Sequence, residues 1–115
     1  MDTVSNYTET LEKTIRDLLE RQDDLIRTAF TDQLTGLGNR GAFTRSLEEL
    51  WEQELPVTMA FIDIDNLKHC NDIFGHDEGN RYILQVSFYL KLYMKVDEAA
   101  FRLGGDEFAI LSTIA

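Results

Sequence analysis

The chain has 115 residues, 43% of them apolar, with a net charge of -10 from eleven basic and twenty-one acidic side chains, so it holds one domain at most and binds neither nucleic acid nor anionic lipid by simple phosphate neutralisation. No apolar run approaches the roughly 20 residues of a membrane span, and the polar, acidic N-terminus lacks the basic start and apolar centre of a signal peptide. A single cysteine, Cys70, excludes an internal disulfide framework, and the expectation is a cytoplasmic chain with no direct membrane insertion.

From about Thr8 to Phe30 the sequence is free of Gly and Pro, and Leu11, Ile15, Leu18, Gln22, Leu25 and Ala29 recur at alternating steps of four and three. That spacing is a coiled-coil seam of nearly three heptads, with charge on both flanks. It supports either a self-associating stalk or an amphipathic helix packed on its own domain. Thr31 to Arg40, with Gly36 and Gly38, breaks the helix and opens a second unit. Residues 1–30 are therefore taken as a helical stalk and 31–115 as the domain proper.

Helical character resumes from about Gly41 to Gln53, where Phe43, Leu47, Leu50 and Trp51 share one face. After Pro56, Val57 to Ile64 is a mostly apolar run that ends in acids and reads as a buried strand. A short polar helix over Asn66 to Asp72 follows, then a turn at Gly75. From Gly79 to about Met94, Ile83, Val86, Leu90 and Tyr93 form a helical stripe. The last element is a hairpin: Ala99 to Phe101 and Phe108 to Leu111 flank Gly104-Gly105-Asp106-Glu107, where paired glycines are expected to supply the positive φ of a tight turn. Acids at such a tip can present oxygen to a hard cation, and a bare glycine backbone admits a phosphate. The same tip also reads as an ordinary solvated turn.

Several motifs fail on context. Gly36-Leu37-Gly38-Asn39-Arg40-Gly41 spells the dinucleotide glycine pattern, but a polar helix rather than a strand precedes it. Asp63-Ile64-Asp65-Asn66 opens like a calcium loop, yet Leu67 and Lys68 stand where a ligand and the turn glycine belong. His69, Cys70 and His76 lack a second close pair to complete four ligands for a transition metal, and Cys70 is expected as a small buried group. What remains is a pairing. If their strands are neighbours, Asp63 and Asp106 make a two-carboxylate cation site of the kind that serves phosphoryl transfer. Alternatively, Asp63 and Asp65 cap the next helix; spacing favours neither.

Three ordered blocks then carry a resemblance. Asp32-Gln33-Leu34-Thr35-Gly36-Leu37-Gly38-Asn39-Arg40, then Phe61-Ile62-Asp63-Ile64-Asp65 with Lys68, Asn71-Asp72, Gly75-His76 and Gly79, then Arg102-Leu103-Gly104-Gly105-Asp106-Glu107-Phe108, together resemble the GGDEF-type diguanylate cyclase domain. The resemblance implies an α/β (α+β), polymerase-palm-like fold whose hairpin carries the signature, preceded by a long amphipathic helix similar to those that join such domains to an upstream sensor. It implies that two domains, each holding one GTP, meet face to face as a homodimer and condense the nucleotides into cyclic di-GMP and pyrophosphate. Carried over by position, Asp63, Asp106 and the Ile64 carbonyl would ligate Mg2+ (or Mn2+). Asp106 would accept the proton of the attacking 3′-hydroxyl, with Glu107 in support and Lys68 stabilising phosphoryl charge. Asn66 and Leu67 would offer backbone amides to phosphate beside the bare backbone of Gly104 and Gly105, and Asn71, His76 and Asn80 would line the guanine pocket.

Three departures qualify that picture. Asn80 stands where the family usually has aspartate. Guanine presents two adjacent donors, which a carboxylate accepts together, whereas an amide offers one acceptor and one donor, a mismatch of about 1–3 kcal/mol. Lys95 and Glu98 replace the arginine and aspartate of the family's inhibitory product site, and lysine lacks the guanidinium fork, so weak or absent product inhibition is expected. Family members also continue past the hairpin through a further helix and strands, so the resemblance covers the N-terminal portion of such a domain. A catalytically degenerate module that binds GTP or dimerises in cyclic-dinucleotide signalling is the alternative.

Overall fold

The computed structural model describes residues 3–113. Seven elements follow in order: helix α1 (Thr3–Phe30), helix α2 (Arg40–Glu52), strand β1 (Thr58–Asp63), helices α3 (Leu67–Phe74) and α4 (His76–Tyr93), and strands β2 (Glu98–Arg102) and β3 (Glu107–Ser112). The elements anticipated from the sequence are all present. α1 and α4 begin five and three residues before the expected Thr8 and Gly79.

The strands form one antiparallel sheet in the order β1-β3-β2. Ile62 pairs with Phe108, which pairs in turn with Arg102; one rung on, Phe61, Ala109 and Phe101 line up. Because side chains alternate across a sheet, these two rungs face opposite ways. The Phe61 and Phe101 rings meet Phe43 of α2 edge-on, at centroid distances of 6.0 and 5.5 Å. On the other face, Phe108 is fully buried in a core with Leu37, Ile64, Leu67 and Ile83, flanked by Leu34, Ile62, Val86, Leu90 and Ala100. Ile83, Val86 and Leu90 of the expected α4 stripe thus do pack inward, while Tyr93 is exposed. Trp51 likewise departs from its partners on α2: it is 84% exposed, whereas Phe43, Leu47 and Leu50 are half-buried.

Two expectations about burial are corrected. The apolar run of β1 is not a buried strand: Met59 and Phe61 are 46% and 64% exposed. β1 is an edge strand that pairs with β3, and on its outer face the Phe61 ring meets Phe43 of α2. An apolar run reports a surface that can be covered, not one that is. Cys70 is half-buried rather than enclosed, since α3 packs on the core through Leu67.

α1 stands apart from this body. None of its residues is buried, which removes the reading of a helix packed on its own domain. The radius of gyration is 20.1 Å, against roughly 13 Å for a compact chain of this length. What fastens α1 is its last turn. The Asn39 side-chain amide donates to the Ala29 carbonyl at 2.8 Å and its backbone N–H to the Phe30 carbonyl at 3.1 Å, while its Oδ1 caps α2 by accepting from the Ala42 amide at 3.0 Å. One residue earlier, Gly38 runs beside β2: its carbonyl accepts the Arg102 N–H at 2.8 Å. A Cβ at Gly38 would lie 2.7 Å from the Phe101 ring, so this close approach requires glycine.

Candidate metal and nucleotide site

The last residue of β1 and the tip of the β2–β3 hairpin lie at the same end of the sheet. Asp63 is paired in register with Glu107, and the Ile64 N–H donates to the Asp106 carbonyl at 2.8 Å. These backbone constraints bring three exposed carboxylates together: Asp63, Asp106 and Glu107 can each supply an oxygen such that all three oxygens lie within 4.8 Å of one another. The negative charge of Asp106 above all, then desolvation and the charge of Glu107, raises the Asp63 carboxyl above the usual carboxylate range. Three mutually repelling hard oxygen donors suit a divalent cation such as Mg2+ or Mn2+.

The alternative role for the acids falls away. Asn66 occupies the N-cap of α3 in the left-handed region, φ 63°, and no side chain caps that helix, so neither Asp63 nor Asp65 does. The glycine expectation also changes. Neither Gly104 nor Gly105 has positive φ; the four-residue connection 103–106 turns without it. A Cβ on either would meet nothing within 4 Å, so these glycines leave the tip open rather than enabling its turn.

The remaining predicted residues flank the acids. Ile64 is buried, with its side chain in the core. Asn66 and Leu67 sit at the start of α3, where backbone N–H groups lack intrahelical acceptors, and Lys68 is exposed on the same turn. Asn71 lies further along α3, and its Oδ1 is buried without a hydrogen-bond partner. That oxygen occupies the place where a side chain on Gly79 would be, 1.7 Å from an added Cβ. His76 and Asn80 lie exposed on the first turns of α4. Beyond the other end of α4, the Glu98 carboxylate accepts from the Lys95 backbone amide at 3.1 Å, so the two residues that the resemblance sets at the inhibitory position bond to each other.

Two arginines that sequence reasoning left without a role hold the tip. Arg102 is the more enclosed: its guanidinium reaches both oxygens of Asp32, at 3.2 and 3.3 Å, and the Gly105 carbonyl at 3.2 Å. Burial disfavours the Asp32 charge, but hydrogen bonds from the Thr35 hydroxyl and amide, with the charge of Arg102, outweigh it and hold the carboxyl below its usual range. Arg40 is exposed, with Nε 3.4 Å from the Leu103 carbonyl and a terminal nitrogen 3.9 Å from Glu107. No local signal marks either pairing; Asp32 and Arg102 are 70 positions apart.

Known proteins bear on this arrangement. Residues 29–114 match the family model described as "Diguanylate cyclase, GGDEF domain", and the chain belongs to that family. The diguanylate cyclase DgcP of Escherichia coli is 39% identical over 105 residues, 88% of this chain and 31% of the relative. DgcN of the same organism is 37% identical over 97 residues, 82% of this chain and 24% of the relative. The chain therefore spans less than a third of either protein. Among solved structures, the coiled coil and GGDEF domain of DgcB from Caulobacter crescentus, in complex with c-di-GMP, superposes with a TM-score of 0.88 at 29% identity, over 99% of this chain and 62% of that one. The long helix before the domain is thus part of the shared fold. Among the described residues, no helix is long and apolar enough to cross a membrane.

Proposed function

We propose that this chain is the N-terminal portion of a diguanylate cyclase domain with its dimerising stalk, and that two copies condense two GTP into cyclic di-GMP. The observation that carries the reading is the triad of Asp63, Asp106 and Glu107 at one end of the sheet, in a chain of this family. In each of two equivalent steps, the 3′-oxygen of one nucleotide attacks the α-phosphorus of the other. The bond from that phosphorus to the α–β bridging oxygen breaks, pyrophosphate leaves, and the hydroxyl proton passes to a base.

Asp63, Asp106 and the Ile64 carbonyl would hold Mg2+ or Mn2+, which when bound neutralises phosphate charge and lowers the pKa of a coordinated hydroxyl. The protein's own contribution is positioning. Asp106 accepts the hydroxyl proton; its backbone is fixed by the Ile64 N–H. Glu107 supports the site, and Lys68 with the amides of Asn66 and Leu67 takes phosphate charge. The open tip at Gly104 and Gly105 lets phosphate approach. Asn71, His76 and Asn80 receive the base. The exposed seam of α1 pairs with the same seam of a second copy, bringing the two half-sites together.

Chromatography of an incubation of the intact protein with GTP and Mg2+ tests this. Cyclic di-GMP should form, and Asp106→Asn should reduce the rate at least 100-fold, in keeping with loss of a proton acceptor that is also a ligand. A second reading, a module that binds GTP or dimerises without catalysis, is favoured by Asn80 alone. Bound GTP with no cyclic dinucleotide would select it.

A further inference from the structure

Beyond the acids, the molecule has a groove of about 450 Å³ on the α2 side of the sheet. Phe43, Phe61, Asp63, Glu107 and Arg40 all line it. The two arginines near the tip differ in what they have left to offer. Arg102 is engaged by Asp32 and the Gly105 carbonyl, its Nε is buried without a partner, and its side chain is only 15% exposed, so it is closed to a ligand. Arg40 uses one N–H, on the Leu103 carbonyl. Its distance of 3.9 Å from Glu107 is too long for a hydrogen bond, and its side chain is 69% exposed. The other four guanidinium donors have no hydrogen-bond partner among the described residues. An exposed pair at that separation adds almost nothing to stability.

We infer that Arg40 is a phosphate-binding residue: its guanidinium contacts the phosphate oxygens of the nucleotide held at Asp63, Asp106 and Glu107, from the α2 side of the sheet. This rests on the cyclase reading above. The chemistry fits, because a planar fork of donors matches two phosphate oxygens, and a chain of net charge -10 has few cations to place near a triphosphate. The bond to Leu103 fixes where the fork sits without exhausting it.

The test compares wild type, Arg40→Lys and Arg40→Gln in the intact protein by calorimetry with GTP, with guanosine, and with Mn2+ alone. Arg40→Gln should weaken GTP binding roughly tenfold or more, as for loss of a charge-assisted contact, and Arg40→Lys should recover part of it. Guanosine and Mn2+ affinities should match wild type. Unchanged GTP affinity in both variants overturns the inference. So does an equal loss for Mn2+, which would mean that Arg40 only positions Glu107. Failure of the wild type to bind GTP would bring down the cyclase reading and this inference together, whereas wild-type binding with indifferent variants brings down the inference alone.

Discussion

At Asp32 and Asp63 the same side chain meets opposite surroundings, with opposite consequences for pH. Asp32 is held below the usual carboxylate range, so its contribution to stability is present above that range and is lost as pH falls through the lowered value. Asp63 is raised by Asp106, so the folded state loses stability as pH rises from the ordinary range through the raised one. Asp32→Asn should therefore lower stability by about 2 kcal/mol near pH 7, measured by urea denaturation, with the difference from wild type shrinking below about pH 4. Asn80 sets a second residue-scale expectation. Its amide offers an acceptor and a donor where guanine shows two donors, and adenine's edge suits it better. Asn80→Asp should shift the ratio of GTP to ATP affinity about tenfold toward GTP; an unchanged ratio in titrations with both nucleotides would refute that.

The elements differ in how far they could be read from sequence. α2 and α4 were legible because apolar residues recur at the helical period, as with Ile83, Val86 and Leu90; α3 was legible as a short polar stretch after the first acids, and the hairpin as two strand-like runs about paired glycines. Asp63 and Asp106 were legible as a pair because both lie at the ends of strand-like runs. Other features were not. The exposure of Phe61 follows from β1 being an edge strand, and strand order is a long-range property. The clasp of Asp32 on Arg102 joins residues 70 apart, and no local pattern selects that partner. Gly104 and Gly105 suggested a turn of positive φ, whereas the four-residue connection is shaped by Arg102 on the Gly105 carbonyl and by Leu103 donating to Glu107 at 2.8 Å. At this scale α1 has its own expectation. Leu18 is 58% exposed, on a helix that buries nothing. Leu18→Asp should convert a dimer to a monomer in analytical ultracentrifugation while the domain's free energy of unfolding stays within about 0.5 kcal/mol of wild type.

Across the whole molecule, the stalk, the connector and the signature hairpin form one hydrogen-bonded series: Ala29 and Phe30 to Asn39, Gly38 to Arg102, Arg102 to Gly105. The end of the protruding helix is thus fastened to the loop that carries the acids. The sheet supplies the rest by placing the last residue of β1 beside the first residue of β3 at one end of the sheet. Asp63, Asp106 and Glu107 together are expected to hold a divalent cation. Titrating Mn2+ into the protein, followed by electron paramagnetic resonance, measures this directly. Wild type should bind, Asp63→Asn and Asp106→Asn should each weaken binding at least tenfold, and affinity should fall as pH drops through the raised Asp63 range because the ligand must be deprotonated. Equal Mn2+ affinity in wild type and both variants would contradict it.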